Sequence, residues 1–108
     1  AYVAPYRAEG FNLPPLEAAS SGIPIIITNG GSTDDYYNKS FAIKIKSKLM
    51  KKNNNIFLEP DIESLIDAMS LLVEKKFYDF NFKETQNFIK KDFSWSSIVK
   101  KLSLIMDF

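Results

Sequence analysis

The chain has 108 residues, 45% of them hydrophobic and 25% charged, and a formal net charge of +1. This composition is that of a globular protein and excludes a disordered or strongly polyelectrolyte chain. Cysteine and histidine are both absent, so disulfides, Cys-His or Ser-His catalysis and Cys/His zinc sites are excluded within these residues. No apolar run approaches the roughly 20 residues that cross a bilayer. We expect one small domain, or part of a larger one, in a reducing cytoplasm.

The first third of the chain predicts a strand, a helix and a second strand. Tyr2–Pro5 is apolar and predicts a buried strand. A short helix is expected over Pro15–Ser21, because proline fits a first helical turn and Gly22 is a natural stop after it. Ile23–Thr28 is β-branched almost throughout, which is typical of a parallel strand covered on both faces.

Shorter elements are predicted over the next thirty or so residues. Ser32–Asp35 has capping-box spacing and predicts a brief helix that ends near Tyr37. Phe41–Lys46 alternates apolar and charged residues, as a half-buried strand does. We expect a polar loop over Lys48–Asn55 and then a short strand at Ile56–Leu58.

Three helices are predicted in the last part of the chain. Asp61 is expected to cap an amphipathic helix that runs to about Glu74, and further helices are expected over Asn81–Lys91 and Ser94–Met106, the last capped by Ser94. Alternating β and α elements of this length predict an α/β fold with a mostly parallel sheet, followed by C-terminal helices. The apolar stripe of the first of these helices comprises Ile62, Leu65, Ile66, Met69 and Leu72 or Val73.

The segment Arg7–Thr28, RAEGFNLPPLEAASSGIPIIIT, follows the first predicted strand, and ligands of parallel sheets bind where strands end. The start of a helix offers unpaired N–H groups and the positive end of the helix dipole, which suit a phosphate. Gly10 allows the backbone to approach a ligand without a Cβ in the way. Because Pro14 and Pro15 carry no N–H, the available loop amides are those of residues 10–13.

Charged side chains flank these amides. Glu17, in the first turn of the predicted helix, is placed to accept hydrogen bonds from sugar hydroxyls beside a phosphate, and Glu9 is placed to face the group beyond it. Arg7, the sole arginine, is a candidate phosphate ligand. The same spacing also fits a plain strand–loop–helix connection, in which Glu17 complements the dipole and Glu9 is simply exposed.

Residues 5–31, PYRAEGFNLPPLEAASSGIPIIITNGG, resemble the donor-site signature of retaining, nucleotide-sugar-dependent glycosyltransferases with the GT-B fold, the group 1 family. The family pattern is approximately E-G-F-G-L-P-x-x-E-A-M-A-x-G-x-P-V-I-A-T-x-x-G-G. FLEPD at residues 57–61 and FSW at residues 93–95 are similar to later family segments, so the resemblance covers nearly the whole chain. The matching residues are Glu9, Gly10, Phe11, Leu13, Pro14, Glu17, Ala18, Gly22, Pro24, Ile26, Thr28 and Gly31.

The resemblance implies a role for each part of the signature. In the family, the glutamate that matches Glu17 binds the ribose hydroxyls, and the one that matches Glu9 faces the transferred sugar near the reacting centre. Backbone amides that match Phe11, Asn12 and Leu13 meet the sugar hydroxyls and the diphosphate. Retaining transfer of this kind needs no protein nucleophile, because its main task is electrostatic stabilisation of the departing diphosphate. No metal or other cofactor is expected.

The chain departs from the family pattern at several positions. Asn12 replaces the usual glycine, although Asn tolerates positive φ better than most residues. Ser32 stands where the second closing glycine usually lies, with Gly30 one place early, and Asp35 only loosely matches a family glutamate. The family's acceptor domain and its upstream Arg/Lys pair have no counterpart here. We therefore expect the second half of a GT-B donor domain, a partial Rossmann-like layer, whose partner is the missing N-terminal domain of a parent chain.

The remaining surface features have plainer interpretations. Five lysines in the middle of the chain are interpreted as protecting a solvated edge strand rather than as a surface for anionic lipid or a charged acceptor, although peripheral membrane contact stays open. The apolar face of the final helix, formed by Ile98, Leu102 and Ile105, is expected to be exposed and to favour self-association. The lysines concerned are Lys44, Lys46, Lys48, Lys51 and Lys52.

The aromatic residues predict packing of helices on the sheet, and binding of nucleic acid is not expected, because no basic surface is interleaved among them. Phe93 and Trp95 are expected in the core. The other aromatic residues weighed in this way are Tyr36, Tyr37, Phe77, Tyr78, Phe80 and Phe82.

These observations predict a fragment of an enzyme that transfers a sugar from a nucleotide-diphosphate sugar to an unknown acceptor with retention, and that is inactive alone. The alternative is a non-catalytic domain of the same fold that binds a nucleotide or a partner. The presence of both Glu9 and Glu17 favours the enzyme. A nucleotide-sugar epimerase is disfavoured by the Glu-Gly-Phe-Asn-Leu-Pro match.

Overall fold

The computed structural model describes residues 1–74 and 80–107, and the α/β class and the order of most predicted elements are confirmed within them. The strands are β1 (Tyr2–Ala4), β2 (Ile25–Thr28), β3 (Ala42–Ile45), β4 (Ser47–Lys52) and β5 (Asn55–Pro60). The helices are α1 (Leu13–Ser20), α2 (Ile62–Val73), α3 (Phe82–Phe93) and α4 (Trp95–Met106), and a 3₁₀ turn covers Ser32–Asp35.

The main sheet has three parallel strands in the order β1-β2-β3. Val3 lies beside Ile26, and Ile26 lies beside Ile43. Parallel neighbours require crossover connections, and α1 supplies the one between β1 and β2. The prediction of a mostly parallel sheet is therefore confirmed for this layer.

β2 lies at the centre of the core, and all four of its side chains are completely buried. Ile25 and Ile27 point to one face, where they pack with residues of α1 and α3. Ile26 points to the other face, where it packs with Ala68 of α2. The β-branched run thus has the two-sided cover that its composition predicts.

A second, antiparallel sheet is formed by β4 and β5. The predicted polar loop over Lys48–Asn55 is wrong, since this segment forms β4 and a two-residue turn. Asn53 and Asn54 adopt φ values of 50° and 64°, which a type I′ hairpin turn requires and which Asn tolerates. The turn ties the lysine-rich strand to β5, and β4 remains exposed as a solvated strand.

Two predictions of burial are also wrong. Tyr2 and Val3 are 38% and 39% exposed, because β1 pairs only with β2 among the described residues. Trp95 is 85% exposed, because it begins a helix that packs mainly on α3 and buries none of its residues. Phe93 does pack against the core, as predicted.

The apolar stripe of α2 is divided between core and solvent. Leu65 and Leu72 pack with Ala68 against the sheet, whereas the rest of the predicted stripe is exposed. α4 presents the predicted face of Ile98, Leu102 and Ile105 to solvent. In the described part of the chain, no helix has the length and apolar character that crossing a membrane requires. The exposed residues of the α2 stripe are Ile62, Ile66, Met69 and Val73.

The helices begin and end close to the positions that the sequence predicts. The Asp61 carboxylate accepts from the Ser64 N–H at 2.7 Å, and the Ser94 hydroxyl accepts from the Ser97 N–H at 3.3 Å. Gly22, at φ +85°, follows the end of α1 as predicted. Phe77 and Tyr78, predicted to pack on the sheet, lie outside the described residues.

Candidate functional site

The predicted site residues lie at the carboxyl end of the parallel sheet. The loop between β1 and α1 carries Arg7 through Asn12, and the turn after β2 carries Asn29 to Gly31. Because β1 and β2 are parallel neighbours, these two segments meet at the same edge of the sheet, where ligands of open α/β sheets bind.

The residue before α1 adopts a left-handed conformation. Asn12 is the N-cap, with φ 62° and ψ 65°, and its side chain makes no capping hydrogen bond. None of the hydrogen bonds within residues 1–74 and 80–107 uses the N–H groups of Gly10, Phe11, Asn12 or Leu13 as donors. A left-handed residue next to a right-handed one directs successive N–H groups to one side. These amides therefore have no acceptor among the described residues, and their binding of an anion stays a prediction.

Both glutamates of the signature are exposed. Neither carboxylate makes a hydrogen bond or an ion pair within the described part of the chain. Glu17 differs from its prediction, because α1 begins at Leu13 and places it beyond the first turn. Its carboxylate therefore adds little to the charge at the start of the helix, and remains free for an uncharged donor such as a hydroxyl.

The Arg7 side chain contacts two residues of β5. Its Nη2 donates to Glu59 Oε1 at 2.9 Å, and its guanidinium lies 5.9 Å from the ring centre of Phe57. Its carbonyl accepts from the Leu58 N–H at 2.8 Å, which ties the loop to β5. The ion pair is largely exposed, and such pairs are worth at most about 1 kcal/mol. A role for Arg7 at a phosphate would require this weak pair to open.

A buried polar network joins the ends of β1 and β2, and no pattern in the sequence indicated it. The Tyr6 hydroxyl lies 2.7 Å from Thr33 Oγ1, and it accepts from the Thr33 N–H at 3.2 Å. The Thr28 hydroxyl donates to the Tyr6 carbonyl at 2.9 Å. Tyr6 is 9% exposed and both threonines are completely buried, so the network is shielded from water and rigid.

Gly31 is packed directly against this network. A Cβ at this position would overlap the Tyr6 hydroxyl and would lie 2.7 Å from its Cε2 atom. The other glycine of the turn, Gly30, has φ +88°, a conformation that a residue with a side chain rarely adopts. The Asn-Gly-Gly turn therefore has one glycine for its backbone angle and one for close packing.

Tyr36, which follows the 3₁₀ turn, connects the segment after β2 with the loop before α1. It is 1% exposed, and its hydroxyl donates to the Asn12 carbonyl at 2.7 Å. Burial raises the pKa of Tyr36 well above its usual value, and the nearby Tyr6 and Glu9 raise it further. Packing was predicted for this residue and is confirmed, but no local pattern indicated the contact with Asn12, which lies 24 positions away.

Two charged side chains beside the turn after β2, Lys44 and Asp34, are paired with each other. Lys44 Nζ lies 2.8 Å from Asp34 Oδ1 and 4.2 Å from the ring centre of Tyr37. Within the described residues, no cluster of three acidic side chains is placed to hold a metal ion. The arrangement thus offers backbone donors for an anion and two free carboxylates for hydroxyl groups.

The chain was also compared with known proteins. No protein-family model matches it, and no curated protein is significantly similar to it. What the site binds is therefore inferred from its own geometry and from the sequence pattern.

Proposed function

We propose that this chain is the C-terminal part of the nucleotide-sugar-binding domain of a retaining glycosyltransferase with the GT-B fold. The observation that carries the proposal is the set of free N–H groups from Gly10 to Leu13, at the start of α1, with the free carboxylates of Glu9 and Glu17 on either side of them in the sequence. This combination fits a diphosphate between two sugars, because the amides bind the anion and the carboxylates accept from hydroxyls.

Each residue has a distinct part in the proposed reaction. Glu17 accepts hydrogen bonds from the ribose, and Glu9 faces the transferred sugar. The amides of Phe11 to Leu13 stabilise the negative charge that develops on the departing diphosphate, which is the largest single contribution in reactions of this kind. The chain contains no histidine or cysteine, and the proposed chemistry asks for neither in this half of the site.

The exposed apolar faces support a larger parent protein. The free edge of β1, the outer side of α2 and the face of α4 together present many large apolar side chains to solvent. Monomeric proteins rarely leave such surfaces uncovered. In the proposed parent, an upstream part of the donor domain covers β1 and α2, and the acceptor domain contacts α4. The isolated chain is then inactive, because it holds neither the acceptor site nor the base pocket.

The alternative is a non-catalytic domain of the same fold that binds a nucleotide or a partner. The same amides would hold a nucleotide in that case, but Glu9 would have no group to contact. The two proposals therefore differ in whether a sugar is released from the donor.

The test is hydrolysis of UDP-, GDP- and ADP-sugars by the parent protein, with wild type compared with Glu17→Gln. We expect one nucleotide to be preferred, and we expect the variant to raise KM for that donor by about tenfold to a hundredfold, because hydrogen bonds to a charged group are worth about 1.5–3 kcal/mol.

The matched control is Glu63→Gln, an exposed helical glutamate on α2, which packs on the opposite side of the sheet. This control should hydrolyse the donor as wild type does. Absence of both turnover and nucleotide-induced thermal stabilisation across the panel would contradict both proposals. Thermal stabilisation by a nucleotide without turnover would favour the non-catalytic domain.

A further inference from the structure

We propose that Tyr36 is a positioning residue that keeps the diphosphate-binding loop in its binding conformation by holding Asn12 left-handed. This inference rests on the proposed function. The hydroxyl of Tyr36 is the only described side-chain group that donates to the carbonyl of Asn12, at 2.7 Å. The direction of the amides beside Asn12 depends on its left-handed angles, so a contact that fixes those angles also fixes the anion site.

The loop needs such a contact because its own sequence does not favour this conformation. A residue with a side chain adopts positive φ with difficulty, and Asn does so only more readily than others. The Asn12 side chain makes no capping hydrogen bond that would repay this cost. A glycine would adopt the same angles without strain, which makes Asn12 dependent on its surroundings.

Tyr36 is itself held rigidly, which qualifies it to fix another residue. It ends the 3₁₀ turn, and its N–H donates to the Thr33 carbonyl at 3.3 Å. Thr33 in turn belongs to the buried network of Tyr6 and Thr28. A continuous set of contacts therefore runs from the end of β2 through Tyr36 to the start of α1.

The ring of Tyr36 adds a second contact with the loop. Its centre lies 5.3 Å from that of Phe11 and 6.3 Å from that of Phe93. Phe11 also packs at 6.3 Å on Phe93, although it is 41% exposed. The substitution Tyr36→Phe keeps these ring contacts and removes only the hydroxyl, so it isolates the hydrogen bond to Asn12.

The first experiment measures the loop in the ligand-free chain by NMR. The ¹³C shifts and the amide-to-Hα coupling of Asn12 report whether its φ is positive. We expect the left-handed signature in wild type and its loss in Tyr36→Phe. Tyr37→Phe is the matched control, because the neighbouring tyrosine packs against Lys44 rather than against the loop. The control should retain the wild-type signature.

The second experiment measures, by titration calorimetry, the affinity of the parent protein, whose upstream part supplies the base pocket, for UDP, GDP and ADP. We expect Tyr36→Phe to weaken the tightest of the three by about fivefold, the value of one net hydrogen bond. In the background of Asn12→Gly, the same substitution should have much less effect, because glycine needs no help to adopt positive φ. A merely structural role of Tyr36 would not produce this rescue. Asn12→Ala, which leaves Tyr36 intact, should weaken binding as Tyr36→Phe does.

The outcomes separate this inference from the function on which it rests. If Tyr36→Phe keeps Asn12 left-handed and binds with wild-type affinity, the positioning role is refuted and the proposed function stands. If wild type binds none of the three nucleotides, the proposed function fails. In that case the NMR signature alone tests whether Tyr36 keeps Asn12 left-handed. Loss of the signature in Tyr36→Phe supports this role, and retention of the signature refutes it.

Discussion

Gly31→Ala should destabilise the protein strongly, although this glycine does not have a positive φ. The added Cβ would overlap the Tyr6 hydroxyl and would lie 2.7 Å and 2.9 Å from the Cε2 and Cζ atoms of the ring. These atoms belong to a ring that is anchored at both ends, so they cannot move away freely. Either Tyr6 or the turn after β2 must shift.

The cost can be derived from the contacts that this shift would break. Overpacking of a well-filled site costs about 1–3 kcal/mol. Displacing Tyr6 also weakens its bonds with Thr33 at 2.7 Å and 3.2 Å, each worth about 1 kcal/mol. The lower entropy of the unfolded chain with alanine offsets about 0.4–1 kcal/mol. We expect the free energy of unfolding to fall by about 3 kcal/mol, which is a large part of the stability of a small domain.

The assay is urea unfolding of the purified chain, followed by circular dichroism. Gly10→Ala is the matched control, because nothing lies within 4 Å of a Cβ at Gly10 and its φ is not positive. With a slope of about 2 kcal/mol per molar urea, the midpoint of Gly31→Ala should fall by about 1.5 M and that of Gly10→Ala should barely change. Equal midpoints for the two variants would refute the close packing of Gly31 on Tyr6.

Two further predictions concern Tyr36 and α4. The folded state keeps Tyr36 neutral because its pKa is raised, whereas the unfolded tyrosine ionises above about pH 10. Above that pH the unfolded state binds fewer protons than the folded state. The contribution of Tyr36 to stability is therefore complete below about pH 10 and is lost as the pH rises above it. The difference between the urea midpoints of wild type and Tyr36→Phe should therefore be constant below about pH 10 and shrink as the pH rises above it, and a difference that stays constant above about pH 10 would contradict this. The isolated chain should self-associate through α4, and Ile105→Glu should shift sedimentation towards the monomer; the exposed control Ser96→Glu should not, and an equal effect of both would place the contact elsewhere.

The sequence was sufficient where local chemistry decides the structure. Ile25 to Ile27 predict a strand covered on both faces, because β-branched side chains without polar alternation have no solvent face. Asp61 and Ser94 predict helix starts, because their side chains can accept from the N–H three residues on. Both hydrogen bonds form in the structure.

The sequence was insufficient where a residue depends on distant partners. β4 looks polar in isolation, and it forms a strand only because the turn at Asn53 and Asn54 pairs it with β5. Arg7 pairs with a glutamate 52 positions away, and the Tyr36 hydroxyl reaches Asn12 across 24 positions. Neither separation follows a helical or strand period, so no pattern of spacing indicates these contacts.

The loop between β1 and α1 is fixed by two hydrogen bonds to residues that are distant in the sequence. One end is fixed where the Leu58 N–H donates to the Arg7 carbonyl, and the other where Tyr36 donates to Asn12. Contacts between residues so far apart in sequence form slowly, because the chain must first close large loops. The bond at Arg7 spans 51 positions and the pairing of β1 with β2 spans 23, so we expect the main sheet to assemble before the hairpin has docked and fixed the Arg7 end of the loop. We expect a single proteolytic cut between β4 and β5 to loosen the Arg7 end of the loop, while the hydrogen bond from Tyr36 to Asn12 and the core around β2 remain.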